Sequence, residues 1–212
     1  MEVKAKIDEA HRKELLKFLL VKTAPVRYGV KPAELLRVRH CYSDTNEEGF
    51  RFCLYRRDIY EILSLDYIEL KVESESSLVL FYNREVLSRT LSGRAVSGWL
   101  RRCGYPEGAV QARLSELRKR CEGKEFPHEI GVFIGYPLKD VVGFMQRLPM
   151  TPLHNGPWRV YGNAMESIRR MRLYAAAERF AGDTLEKAAD VTEFCAIREF
   201  VQTENSIQLQ GA

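Results

Sequence analysis

Between residues 50 and 82 the side chains fall three times into the two-residue period of a half-buried strand. Phe50, Phe52 and Leu54 alternate with Arg51, Cys53 and Tyr55. Ile68, Leu70 and Val72 alternate with Tyr67, Glu69 and Lys71, and SLVLFY (Ser77–Tyr82) follows as a third run. The surrounding chain reads as helix. An apolar stripe of Ile7, Leu15, Phe18 and Leu19 predicts a helix over 7–22, ended by Pro25. Pro32 suits the first position of a second helix through Val38, and 40–49 (HCYSDTNEEG) reads as loop. Further helices are expected over 58–65 and 84–91, the latter closed by Gly93. Val110, Leu114, Leu117 and Cys121 mark one face of another helix, which Pro106 would open. A short strand, Trp158–Tyr161, should place those two rings on opposite faces, ahead of a final helix over 164–189. The fold class expected is α+β, a small antiparallel or mixed sheet with packed helices and a helical C-terminal half. Residues 1–203 are expected to form a single α+β domain, with 204–212 as a disordered tail.

LYRRDI (Leu54–Ile59) and FYNREV (Phe81–Val86) align residue for residue at two strand-to-helix junctions, each placing an acid near the new helix's N-terminus. Chance similarity accounts for so short a match equally well.

Composition narrows the setting. The chain is 45% hydrophobic with ten Tyr, ten Phe and two Trp, enough to build a core and unlike a disordered chain. The longest apolar run, near Leu15–Val21, is broken by Lys17 and is too short to span a bilayer. The opening MEVKAKIDEAHRK is polar and carries acids, unlike a signal or transit peptide, so a cytoplasmic location is expected. Cys41, Cys53, Cys103, Cys121 and Cys195 are odd in number and widely spaced, which argues against a disulfide framework or a four-cysteine zinc site. Residues 94–125 hold eight basic against four acidic side chains, an excess equal to the +4 of the whole chain. Such a run is first read as a solvated helix face, and second as a contact for nucleic acid or phosphate.

The most informative stretch is FPHEIGVFIGYPLKDVVGF, Phe126–Phe144. It reads as two helices, 128–134 and 137–148, joined at Gly135-Tyr136. Ile130, Phe133 and Ile134 should form the inward face of the first, and Val141, Phe144, Met145 and Leu148 that of the second. Gly131 and Gly143 would let the two helices approach closely. Pro127–Phe144 resembles the hallmark P-H-E-I-G-x-F-L-G-Y-P-x-x-D-V-x-G-F of the bacterial domain-of-unknown-function family 3793, found largely in anaerobes, with Ile134 in the Leu position. TAPVRYGVKPAELL (Thr23–Leu36), SLVLFYNREVL (Ser77–Leu87) and PWRVYGN (Pro157–Asn163) resemble further blocks of that family. The resemblance covers about Leu15 to Ala188 and implies no established activity. Members often carry a cysteine in the C-terminal helix, and this chain has none between Cys121 and Cys195.

Three functions are compatible with the motif. The leading one is a non-catalytic ligand-binding or accessory role, with a binding site at His128, Glu129, Tyr136, Asp140, Arg159 and Tyr161. Adjacent His and Glu diverge by about 100° on a helix, so a metal would need further ligands, with His40, His154 and Asp140 as the candidates. No metal site is assigned and no cofactor can be named. The plain alternative for His128 is a ring that braces a backbone carbonyl. A second function is DNA binding through a helix-turn-helix-like pair at 128–148, although only Lys139 and Gln146 there are suited to reading bases. The third is an enzyme with His128 or Glu129 as acid/base and Tyr136, Tyr161 or Arg159 orienting a substrate. The partner expected is a small ligand or a protein, with nucleic acid less favoured and no membrane.

Overall fold

A computed structural model describes residues 2–39, 60–148, 156–188 and 190–196. Outside them lie the expected loop at 40–49, the first strand, the first copy of the short repeat, His40, His154 and the tail. The described elements are α1 (Glu2–Lys22), α2 (Ala24–Arg27), β1 (Ala33–Arg39), β2 (Asp66–Val72), β3 (Ser76–Tyr82), α3 (Arg84–Ser92) and α4 (Arg94–Arg102). They continue with α5 (Val110–Cys121), α6 (Ile130–Phe133), α7 (Leu138–Met145), α8 (Met165–Lys187) and α9 (Val191–Ala196). Residues 60–62 form one further helical turn before β2.

The three strands make an antiparallel sheet in the order β1-β3-β2. Leu35 stands opposite Leu80 and Ile68 opposite the same Leu80, so one face runs across all three strands. The register slips between Glu69 and Lys71, and Leu70 at the slip is fully buried. Because side chains alternate, β3 supplies two cores. Leu80 and Tyr82 pack with α3–α7, whereas Val79 and Phe81 pack with α1, α2, α8 and α9. The result is a sheet covered by helices on both faces, an α+β architecture.

Two expectations differ from the observed fold. Residues 33–39 form β1 and not a helix. Both of its faces are covered, so it lacks the clean polar alternation that signals a strand, and Pro32 precedes it as it would precede a helix. Glu34 enters this buried setting by pairing with Lys31 at 2.6 Å, each side chain 15% exposed or less. In α1 the buried stripe is Leu16, Leu19 and Leu20, with Leu15 half-buried and Phe18 exposed.

Elsewhere the periodicity holds. Asn83 caps α3, its side chain accepting from Val86 N at 3.2 Å, and Glu85 occupies the first turn. Val110, Leu114, Leu117 and Cys121 are buried along α5, which starts at Val110 and not at Pro106. Among the described residues no helix is long and apolar enough to cross a membrane.

Half of the eight basic side chains of 94–125 are committed to partners within the protein. Buried Arg113 donates to Leu91 O (2.6 Å), Pro106 O (3.1 Å) and Ser97 Oγ (2.9 Å), tying α3, α4 and α5 together. Arg101 pairs with Glu107 and Arg118 with Glu122. Arg120 pairs with Glu116 and Glu129 and lies over the Tyr105 ring.

Candidate functional site

The segment 126–161 folds around a turn at Gly135, whose φ of +87° favours glycine. A Cβ there would meet Tyr174 Oη at 2.6 Å and Pro32 Cδ at 2.8 Å. The Gly135 carbonyl accepts from Arg170 (2.8 Å) and Tyr174 (3.2 Å), which fastens the turn to α8. Pro137 then opens α7. Gly131 does bring the two helices together, since a Cβ there would lie 2.7 Å from Val141 Cγ2. Gly143 serves a different contact: a Cβ would lie 2.4 Å from Tyr161 Cγ.

Asp140 is the anchor of this region. Its side chain is buried at the start of α7 and its two oxygens accept four hydrogen bonds. Oδ1 accepts from Lys139 Nζ (2.6 Å) and the Tyr161 backbone N (2.8 Å). Oδ2 accepts from Trp158 Nε1 (2.9 Å) and Ser167 Oγ (2.6 Å). Burial alone would raise this carboxyl, but the donors from Lys139, Ser167, Tyr161 and Trp158 outweigh it and hold the group below its ordinary value. Residues 158–161 form no strand; in place of a neighbouring backbone, Asp140 accepts from the Trp158 side chain and the Tyr161 N–H. Trp158 and Tyr161 are both buried, and Trp158 stacks on Tyr136 with ring centroids 4.3 Å apart.

A cleft of about 350 Å³ lies between β1, the α6–α7 pair and residues 158–159. Leu35, Ile130, Ile134 and Val141 form its apolar floor, and Phe126, Tyr136, Phe144 and Trp158 its aromatic walls. His128 and Arg159 stand at the cleft, which adjoins a groove of about 1270 Å³ that includes Met145, Leu148, Arg147 and Tyr161. Phe144, Met145 and Leu148, expected on an inward face, are exposed, and only Val141 of that set is buried. Both expected helices are also shorter, α6 being a single turn.

Of the six residues expected at a site, His128, Tyr136, Asp140 and Arg159 border the cleft and Tyr161 the adjoining groove. Glu129 does not join them. It precedes α6, is paired with Arg120 of α5 at 3.0 Å and is nearly buried. The exposed His128 ring meets Phe144 edge-on at 4.9 Å between centroids, and the Arg159 guanidinium lies 5.8 Å above the same Phe144 ring. Burial pushes the Tyr136 hydroxyl up to about 12, so it is neutral at physiological pH. Lys139, one of the two residues suited to reading bases beside Gln146, points inward to Asp140, Tyr161 O (2.9 Å) and Ser167 (2.9 Å). Among the described residues no group of three or more His, Cys, Asp or Glu is placed to hold a metal.

The sequence offered little sign of the apolar lining. Leu35 falls in the helix expected from Pro32 through Val38, and the motifs that contain Phe126 and Trp158 do not mark these residues as walls of a cleft. The usable signal is the density of aromatics at 126, 136, 144 and 158 beside a motif rich in turn residues.

An α+β scaffold with a preformed, aromatic-walled cleft at its most distinctive motif is the class these features define. Residues 19–195 match the family described as "Protein of unknown function (DUF3793)", and the chain belongs to that family. None of the curated proteins matches the chain, and none of the solved structures does.

Proposed function

We propose that the protein is a non-catalytic binding protein that takes a small, largely apolar molecule in the cleft beside Phe126, Tyr136, Phe144 and Trp158. The observation that carries this reading is the cleft itself. It is a concavity of about 350 Å³ with apolar floor and aromatic walls, inside the size range of roughly 300–1,000 Å³ typical of ligand pockets. Exposed Phe126 and Phe144 at its rim are apolar surface that a ligand would cover. A cytoplasmic location in bacteria is part of the proposal, and the free thiols Cys103 and Cys121 suit a reducing compartment.

The two competing functions draw less support. A general base needs a partner that orients it, and His128 makes only ring contacts among the described residues, while Glu129 is engaged by Arg120. A helix-turn-helix needs two helices and free cations on the second. Here α6 is one turn long and Lys139 faces α8.

The test uses N-phenylnaphthylamine, an uncharged probe that fluoresces on entering apolar sites. The wild-type protein should bind it saturably, and Leu35→Trp, which fills the floor of the cleft, should abolish binding in a protein that still unfolds cooperatively. No saturable binding, or binding indifferent to Leu35→Trp, would overturn the proposal.

A further inference from the structure

We infer that the ligand of this cleft is an organic anion, with its apolar body between the aromatic walls and its acidic group held at the mouth by Arg159 and His128. The inference rests on the cleft being a binding site and adds the charge of what binds there.

Arg159 is set apart by its place, an uncommitted arginine bordering the apolar cleft. Arg84, Arg101, Arg118, Arg120 and Arg170 each hold a carboxylate. Exposed Arg159 holds none among the described residues, and its guanidinium is placed over the Phe144 ring instead. A guanidinium attracted to a ring face and bonded to no protein acceptor keeps its N–H donors for a carboxylate, sulfonate or phosphate. His128 reaches the same ring from the side, so both cationic or donor groups converge on one aromatic residue of the rim. The acid bordering the inner cleft, Asp140, already accepts four protein hydrogen bonds, so it neither claims these groups nor offers a ligand cation a free oxygen. In the adjoining groove Arg147 adds a second guanidinium against one carboxylate, Glu125. The cleft thus pairs an apolar interior with a mouth whose uncommitted groups favour negative charge.

Two probes of the same skeleton decide the matter: anilinonaphthalene sulfonate and its uncharged parent N-phenylnaphthylamine. The sulfonate should bind at least about tenfold more tightly at low salt, the scale of one hydrogen bond to a charged group. Arg159→Gln should erase that advantage while leaving the affinity for the neutral probe unchanged. Arg179→Gln, a change at an exposed arginine of α8, should leave both affinities as they were. Added salt should narrow the gap between the probes. Equal binding of the two probes, or an advantage that persists in Arg159→Gln, overturns the anion inference and leaves the apolar cleft standing. Failure of both probes to bind overturns the cleft and this inference with it.

Discussion

Asp140 and Arg159 border the same cleft, yet they differ in almost every physical respect. Asp140 is buried and both its oxygens are fully occupied, by donors from α7, from residues 158–161 and from α8. Arg159 is exposed, touches one aromatic ring and has no hydrogen-bond partner among the described residues. A polar group whose bonding capacity is filled by the protein is part of the scaffold; removing it leaves buried donors unpaired, which is costly. A polar group left open at the mouth of an apolar cleft contributes little to folding and keeps its donors for something else. Both residues belong to conspicuous motifs, so the sequence alone does not separate the two roles.

Substitutions should divide along the same line. The largest effect is expected for Asp140→Asn, which leaves at least one of the four donors facing a wrong or absent acceptor. It should destabilise the fold by about 2–4 kcal/mol, read from urea unfolding. The sign with pH is fixed by the lowered carboxyl: its contribution is full at neutral pH and lost as pH falls below the ordinary carboxylate range. An Asp140→Asn protein of wild-type stability would erase the contrast with Arg159.

Gly143→Ala should come next, at about 1–3 kcal/mol, because the new Cβ meets Tyr161 at 2.4 Å in a segment that Asp140 holds in place. A smaller, pH-dependent effect is expected at Tyr136. Burial raises its hydroxyl from 10.0 to about 12, so the folded state keeps a proton that the unfolded chain releases. Stability is then full below pH 10 and falls as pH rises towards 12, and Tyr136→Phe should lose less over that window than wild type. Least of all, His128→Gln and Arg159→Gln should each stay within about 0.5 kcal/mol of wild type at neutral pH.

Those elements with strong local periodicity could be read directly. β2, α3 and α5 fall within a few residues of expectation because each turns an apolar face to one core, and β3 because its apolar run is unbroken, with both faces buried. β1 lies where a helix is expected: Pro32 suits a helix start, and the Lys31–Glu34 pair sets a charged residue inside a strand covered on both faces, so neither polar alternation nor an unbroken apolar run marks it. The alternation at 158–161 predicts a strand, but the partner that holds this segment is a side chain about twenty positions away, a contact no local pattern reveals. Of the candidate site, the motif drew attention to His128, Tyr136 and Asp140. It could not show that Glu129 turns to Arg120, that Lys139 turns inward, or that Phe144 ends at the rim of a cleft, since each depends on how distant elements pack.

The most direct test measures two quantities on the same proteins, urea stability and N-phenylnaphthylamine or anilinonaphthalene sulfonate affinity, for wild type, Asp140→Asn and a His128→Gln/Arg159→Gln double variant. The double variant should keep wild-type stability and bind the neutral probe normally, yet lose the extra affinity for the sulfonate. Asp140→Asn should lose stability instead. A double variant that unfolds early, or that still prefers the sulfonate, would show that the open groups of the cleft are scaffold after all and that the division drawn between Asp140 and Arg159 is false.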